Sequence, residues 1–219
     1  SIVTYTGTGS NATVGHGLSK APNMSWIKPR NFNDNWIVTY DAVDGSDDQA
    51  YLNLTSAGGS PASQYTVSQN ATTLGLTSWN NVNDANDTYV AYCFHSVYGY
   101  SKVGKYVGNG NADGPMVHCG FKPAFLLLRR PTETGSWFIY DNTRGTTYNV
   151  SSGTNFDNVK NHKLSAENTG AEDADTSWNI DFLSNGFKPR STHVYVNGQN
   201  INFIFLAFAE NPFKHTNAS

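Results

Sequence analysis

A residue pattern that occurs twice in the same order constrains this chain more than any other feature. Two segments of the first half have counterparts in the second half at one constant separation: Tyr5-Thr-Gly-Thr-Gly9 matches Tyr106-Val-Gly-Asn-Gly110, and Asn35-Trp36-Ile-Val-Thr-Tyr40-Asp41 matches Ser136-Trp137-Phe-Ile-Tyr140-Asp141. Such self-similarity indicates a structural unit that is present twice. We therefore predict two similar β repeats over residues 1–97 and 98–214, followed by a short tail at 215–219.

The ends of the two copies match as well, but at a larger separation. The segment from Val82 to Phe94 resembles the segment from Val196 to Phe208. The second copy must therefore contain extra residues, which we place between Gly153 and Asp175. This stretch is polar, which predicts a longer surface loop near 153–175, with one helical turn at Lys163 to Asn168.

Short apolar segments separated by turn residues predict antiparallel strands. In each copy a proline, Pro22 or Pro123, precedes an apolar segment, and a segment led by Trp36 or Trp137 follows after a polar turn. Asn185-Gly186 indicates a further hairpin, because this pair tolerates the positive φ angles of a type I′ turn. No segment shows sustained helical periodicity. The sequence therefore predicts an all-β fold, an antiparallel β-sandwich that is internally duplicated.

Charge is sparse, since 14% of the residues are charged and the net charge is −3. Nucleic-acid binding needs a basic surface that neutralises phosphates, and the longest basic run is the pair Arg129-Arg130. The apolar runs, of which Ala124 to Leu128 is one, are far shorter than the roughly 20 residues of a membrane-spanning helix. We therefore expect no nucleic-acid partner and no membrane insertion.

The two cysteines, Cys93 and Cys119, are too few to form a disulfide framework. Cys93 lies in an apolar, strand-like segment, which favours a buried free thiol. A Cys93–Cys119 disulfide is the alternative that the sequence leaves open.

Acidic residues between Asp41 and Asp48 are weak candidates for a cation site, namely Asp44, Asp47 and Asp48. A solvated loop accounts for the same cluster and is the favoured interpretation. Calcium needs about six to eight oxygen ligands, and the glycine-rich run Gly108 to Gly114 lacks the closing glutamate of a calcium loop. We predict no metal and no cofactor.

Catalytic patterns are absent from the sequence. Glycoside hydrolysis needs two carboxylates that face a cleft, but the glutamates lie in loop-like stretches or, for Glu210, at a strand end. The chain also has no Gly-x-Ser-x-Gly segment. These observations predict that the protein is not an enzyme.

Aromatic side chains are the candidate ligand-binding residues, because their faces stack on sugars or pack against another subunit. The candidates are Trp26, Trp79, Tyr98 and Tyr100. Trp36 and Trp137 occur at matching positions of both copies and are assigned to the core instead.

Several segments resemble an uncharacterised repeat domain of marine bacteriophage structural and tail-fibre proteins, which is often found beside concanavalin A-like lectin modules. The segments that carry the resemblance are Gly99-Tyr-Ser-Lys102, Gly104 to Pro115, Gly120-Phe-Lys-Pro-Ala-Phe125, Trp137 to Asn142, Ile180 to Lys188 and Ala207 to Lys214. The resemblance covers nearly the whole chain, but its motifs define a family rather than a chemical site.

The resemblance implies a structural protein of the extracellular virion, in a fibre or another appendage. Such a protein would assemble with copies of itself and with other virion proteins, and could also attach to glycans of the host surface. The residues alone support an alternative function, a carbohydrate-binding, lectin-like module of a secreted or surface protein.

Overall fold

The computed structural model describes residues 1–41, 47–58, 65–144, 146–149 and 154–212, and it is an all-β structure in which the described strands pair antiparallel. The chain divides into two compact units, Ser1–His95 with Pro131–Thr134, and Ser96–Arg130 with Gly135–Ser219. Within the described ranges, no helix has the length and apolar character needed to cross a membrane. The predicted tail at 215–219 lies outside the described residues.

In its described part, the first unit contains two antiparallel sheets and one short helix. Its elements are β1 (Ile2–Thr6), β2 (Ala12–Gly15), β3 (Met24–Pro29), β4 (Ile37–Asp41), β5 (Asp47–Tyr51), β6 (Thr66–Gln69), β7 (Thr73–Leu76), α1 (Asn80–Asn83) and β8 (Thr88–Phe94). The strand orders are β1-β8-β3-β4-β5 and β2-β7-β6. Ile27 and Ala91 of the larger sheet share one buried core with Leu74 and Leu76 of the smaller sheet, so the unit is a two-layered, sandwich-like fold.

The second unit has the same two-layered design with more strands. Its elements are β9 (Ser101–Val107), β10 (Val117–His118), β11 (Pro123–Arg129), β12 (Phe138–Asp141), β13 (Thr146–Asn149), β14 (Thr154–Lys160), β15 (His162–Ser165), β16 (Asp173–Ala174), a 3₁₀ turn (Thr176–Trp178), β17 (Ile180–Leu183), β18 (Gly186–Pro189), α2 (Val194–Asn197) and β19 (Asn202–Ala209). The strand orders are β16-β15-β12-β11-β19-β9 and β10-β18-β17-β14-β13. Leu126 and Phe205 from one sheet and Phe182 and Phe187 from the other lie in one buried core.

The predicted hairpins are confirmed. β3 pairs with β4, and β11 pairs with β12, in each case after the proline-led segment. β17 pairs with β18, but Leu183 pairs with Gly186, so the turn consists of Ser184 and Asn185. Asn185 does not have a positive φ. Among the described residues other than glycine, only Asn86 and Asn200 have one. The predicted type I′ turn at Asn185-Gly186 is therefore wrong, because the connection lies one residue earlier and Gly186 belongs to the strand.

The stretch predicted as a long surface loop at 153–175 differs from that prediction. Most of its described residues lie in β14, β15 and β16, whereas 166–172 form no strand. β14 pairs with β13 and β17 in the second sheet of the unit. The predicted helical turn begins within β15. Polar residues of this stretch are buried, among them Lys160, Asn161 and Lys163, which is why its polarity was misleading.

Each unit contains a similar polar cluster beside its short helix. In the first unit the Tyr5 hydroxyl donates to the Val82 carbonyl (2.7 Å), and the Tyr5 ring stacks on Tyr89 with 5.2 Å between centroids. The amide of the buried Asn83 donates to the carbonyls of Ser10 (2.6 Å) and Thr77 (2.9 Å). These bonds fix the loop after β1 against the end of α1.

The second unit repeats this arrangement with its own residues. The Tyr106 hydroxyl donates to the Val196 carbonyl (2.5 Å), and the ring stacks on Phe203 at 4.9 Å. The amide of the buried Asn197 donates to the carbonyls of Asn111 (2.7 Å) and Ser191 (2.9 Å). We call these two clusters the asparagine locks of Asn83 and Asn197.

A glycine at the same place in each lock permits the backbones to approach closely. A Cβ atom on Gly7 would lie 1.9 Å from the Asp84 carbonyl oxygen, and one on Gly108 would lie 2.2 Å from that of Gly198. Both distances exclude any side chain, so these two positions require glycine.

Candidate functional site

The four predicted aromatic residues lie on different elements. In the first unit, Trp26 is half-buried on β3, where its ring contacts Phe94 with 4.7 Å between centroids. Trp79 precedes α1, is 45% exposed, and meets the Tyr65 ring edge-on at 6.3 Å. Much of the Trp26 ring is thus used for packing, whereas Trp79 retains a solvent-exposed surface.

Tyr98 and Tyr100 lie together on one turn of the second unit. Backbone bonds of 3.0 Å in both directions join Val97 and Ser101, and Gly99 has a φ of 69°. Tyr98 is 91% exposed and Tyr100 39%, and the latter ring packs edge-on against Phe208 at 5.9 Å. The turn therefore presents one fully exposed aromatic ring on an anchored backbone.

The two tryptophans assigned to the core differ in burial. Trp137 is fully buried, and the Arg129 guanidinium lies over its ring at 5.2 Å. Trp36 is half-buried and contacts Tyr92 at 5.9 Å.

The predicted acidic cation candidates do not form a described site. Asp44 lies outside the described residues, while Asp47 and Asp48 are part of β5. Over the described part of the chain, no group of three or more histidine, cysteine, aspartate or glutamate residues could hold a metal ion. Cys93 and Cys119 are buried free thiols, so the alternative of a disulfide between them is not realised.

A cleft of about 260 Å³ in the second unit, which we call the α2 cleft, was not identified from the sequence. Its walls come from the loop after β9, the 3₁₀ turn, and the segment that joins β18 to α2. The lining residues are Ala112, Thr176, Ser177, Arg190, Ser191, Thr192 and His193. These residues belong to separate parts of the sequence and form no motif, so no local pattern could have shown that they meet.

Arg190 is held in the cleft wall by two carboxylates. Its Nε donates to Asp181 (2.6 Å) and its Nη1 donates to Asp113 (2.7 Å). The hydrogen bond to Asp181 is the main reason that the pKa of Arg190 lies above its ordinary value. The pKa of Asp113 is lowered, chiefly by its hydrogen bond to Lys188 and then by Arg190. The cleft therefore has a guanidinium that stays charged and has a fixed orientation.

His193 caps α2 and has no lone pair left for proton abstraction. Its Nδ1 accepts a hydrogen bond from the backbone N–H of Tyr195 (3.2 Å). Burial lowers the pKa of His193, so the imidazole is neutral near pH 7, and the bond at Nδ1 assigns the proton to Nε2. In this tautomer His193 can donate a hydrogen bond to a ligand, but it cannot act as a general base.

The hydroxyl of Ser191 is also occupied within the protein. It donates to the Ser177 carbonyl (2.6 Å) and accepts from the backbone N–H of His193 (2.9 Å), and the residue is buried. A serine in this state is not an activated nucleophile. The α2 cleft thus presents hydrogen-bond donors suited to a hydroxylated or anionic group.

Aromatic rings and a lysine pack against the 3₁₀ turn that forms one wall of the cleft. The Trp178 ring meets His193 at 4.3 Å, and its Nε1 donates to Asp173 (3.0 Å). Lys163 lies over the rings of Phe138 (4.5 Å) and Trp178 (4.7 Å) and forms an ion pair with Asp173 (3.0 Å). These contacts fix the 3₁₀ turn and thus the cleft wall.

Comparison with curated proteins and with solved structures gave no match to this chain. A family model does match, over residues 1–212, and its description is "Domain of unknown function (DUF7483)". Because the match spans almost the full length, the chain belongs to the DUF7483 family.

Proposed function

We propose that this chain is an assembly and attachment module of a bacteriophage virion appendage, such as a fibre, and that it acts by binding rather than catalysis. The virion assignment follows from the sequence resemblance. The binding role is supported by the surface described above, and above all by the turn that carries Tyr98.

The Tyr98 turn has the properties of a contact site. Tyrosine contributes a large contact area at a small cost in side-chain entropy, and it is enriched at protein interfaces. Here the ring is almost fully exposed while its backbone is fixed by the Val97–Ser101 bonds. A partner that covers this ring would gain apolar burial without having to order the turn.

Mass spectrometry and cryo-electron microscopy of purified phage particles that encode this chain test the proposal. We expect its peptides in the particle fraction, and density for the chain in an external fibre or appendage. A Tyr98→Ser variant should fold normally but be incorporated or attach less well. Recovery of the chain only from the soluble lysate of infected cells, and never from particles, would refute the virion role.

We also propose that the chain is internally duplicated. The matching asparagine locks support this proposal, since the equivalent hydrogen bonds involve residues that the sequence repeat aligns: Tyr5 with Tyr106, Asn83 with Asn197, and Gly7 with Gly108. If the two halves had arisen independently, each would have had to acquire the same hydrogen bonds in the same order. Superposition of the two units in an experimental structure, with the locks coinciding, is the expected result.

Carbohydrate binding is the second candidate function, and the α2 cleft favours it. Its lining combines hydroxyls, the Arg190 guanidinium and the His193 imidazole, which are suitable donors for a sugar hydroxyl or carboxylate. A glycan array probed with the intact chain tests this function. Thr192→Trp should fill the cleft and abolish any glycan signal, while Val107→Ser, at an exposed position on β9, should leave it unchanged.

A further inference from the structure

β1 is an edge strand, and no strand among the described residues pairs with its outer side. Ser1 and Cys93 exchange backbone hydrogen bonds of 2.8 Å, and the N–H of Gly7 donates to the carbonyl of Asp87 at 2.7 Å. These bonds show which residues of the antiparallel β1–β8 pair are hydrogen-bonded to each other. The odd-numbered residues of β1 bond to β8, so the N–H and C=O groups of the even-numbered residues point away from the sheet.

The outward-pointing residues are Ile2, Thr4 and Thr6. In the described part of the chain, no hydrogen bond reaches their backbone groups, and all three side chains are exposed, with Ile2 at 67%. β1 contains no charge, no proline and no bulge. Natural proteins normally protect a sheet edge with one of these devices, because an open edge is a template for another strand.

The corresponding edge strand of the second unit is protected. β9 pairs with β19 on one side only, but the Ser96 hydroxyl accepts from the N–H of Val103 (3.1 Å) and donates to its carbonyl (3.2 Å). The backbone groups of Val97 and Ser101 exchange two further hydrogen bonds, and Lys105 adds a charge. Thr4 of β1 aligns with Lys105 in the sequence repeat. The chain therefore blocks one of these two edges and leaves the other open.

We propose that the open edge of β1 binds β1 of a second copy of this chain, in an antiparallel pair across a two-fold axis. This inference rests on the proposed assembly function and names its partner and contact. When Thr4 faces Thr4 of the second copy, Ile2 faces Thr6, so every outward-pointing residue is paired and about six N–H···O bonds form. The two five-stranded sheets then become one continuous sheet.

The residues of β1 favour a second copy of this chain as the partner of the open edge. The pattern of outward groups is symmetric about Thr4, so the strand is complementary to itself in this register. Residues 2–6 of each copy carry no charge that would repel the other copy. The exposed Ile2 side chain lies beside Thr6 of the second copy, which removes apolar surface from water.

Cysteine cross-linking tests both the contact and its register. In a hydrogen-bonded antiparallel pair the facing Cα atoms are about 5.5 Å apart, which is within disulfide range. Thr4→Cys should therefore give a covalent dimer under mild oxidation. Thr6→Cys is the matched control, because its two Cα atoms would be about 14 Å apart and should not cross-link. The native Cys93 and Cys119 are buried and should not interfere.

Sedimentation equilibrium of the full chain supplies the second test. Wild type should show a concentration-dependent dimer, Thr4→Lys should be monomeric with an unchanged unfolding midpoint, and Val107→Lys on β9 should still dimerise. A dimer that survives Thr4→Lys and fails to cross-link through Thr4→Cys would overturn the β1 contact but leave the assembly function in place. A wild-type chain that is monomeric at all concentrations would also overturn the contact, and the particle experiment would then decide the virion role separately.

Discussion

Asn83 and Asn197 are buried, and the amide group of each donates to at least two backbone carbonyls of its own unit. A backbone carbonyl that is buried without a donor costs free energy, so these side chains supply bonds that the loops cannot make among themselves. In this chain, which has few charged residues, neutral asparagine amides hold these loops in place. In many other proteins, ion pairs have this role.

Replacement of either asparagine should therefore destabilise the folded chain. We expect Asn197→Ala and Asn83→Ala each to lower the free energy of unfolding by about 2–4 kcal/mol, because each leaves several buried polar groups without partners. Urea denaturation followed by circular dichroism measures the effect. The exposed Asn11 is the control, and Asn11→Ala should change stability by less than about 0.5 kcal/mol. Equal stability of the lock variants and the control would show that water replaces the lost bonds.

The two thiols should be unreactive in the native protein. Burial raises the pKa of Cys93 to about 11 and that of Cys119 to about 12, so very little thiolate is present at pH 8. We expect a disulfide reagent such as DTNB to react about 100-fold or more slowly with the folded chain than with the chain in denaturant, where both thiols should react. Rapid modification of either cysteine under native conditions would indicate that its surroundings open to solvent.

At the scale of elements, the four-residue helix α2 depends on its histidine cap. Nδ1 of His193 must be deprotonated to accept from the Tyr195 N–H. The pKa of His193 is lowered in the folded chain, mainly because burial disfavours the imidazolium. The unfolded chain thus binds a proton more readily. The stability contributed by the neutral cap is present above the unfolded pKa of about 6.5 and is lost as the pH falls through the folded pKa.

His193→Asn should remove this pH dependence while it preserves the cap, since asparagine also caps helix N-termini. Between pH 7.5 and pH 5, wild type should lose more stability than the variant, by up to about 1 kcal/mol, which is the size of a typical capping bond. Urea midpoints measured at both pH values for both proteins give this difference. Parallel pH profiles would mean that the cap does not depend on the protonation of residue 193.

The strands that sequence reasoning identified are those whose patterns are local. Pro22 and Pro123 precede β3 and β11, and an apolar segment after a polar turn forms the second strand of each hairpin. The closing strands β8 and β19 were likewise apparent as apolar segments. In these elements burial, propensity and turn chemistry agree.

Burial of polar side chains explains the elements that were missed. Lys163 is buried because its ammonium group lies over the Phe138 and Trp178 rings and pairs with Asp173. Lys160 is buried and donates to the Asn142 carbonyl at 3.1 Å. Both residues appear solvent-exposed in a hydropathy pattern, so the strands β14 and β15 were predicted as a loop. The α2 cleft was missed for a related reason, since its polar lining is assembled by tertiary contacts alone.

At the scale of the whole molecule, the number of open sheet edges governs how copies can associate. A chain with one open edge that pairs with itself forms a closed dimer, because the contact uses up the edge of each copy. A second open edge on the same chain would allow each dimer to bind further copies. In the proposed dimer, Ser96 and Lys105 would keep the β9 edge from binding further copies, and substitution of these two residues tests that role.

The double variant Ser96→Ala with Lys105→Thr should convert the dimer into longer assemblies. It frees the outward N–H and C=O of Val103 and removes a charge from the edge, so the Val103 to Val107 part of β9 acquires the features that leave β1 open. Sedimentation velocity should show species larger than a dimer, and negative-stain microscopy should show filaments. Addition of Thr4→Lys to the double variant should return the assembly to a dimer, now formed through β9. If the double variant instead has the same mass distribution as wild type, then edge protection is not what limits the association of this chain, and the contact must lie on another surface.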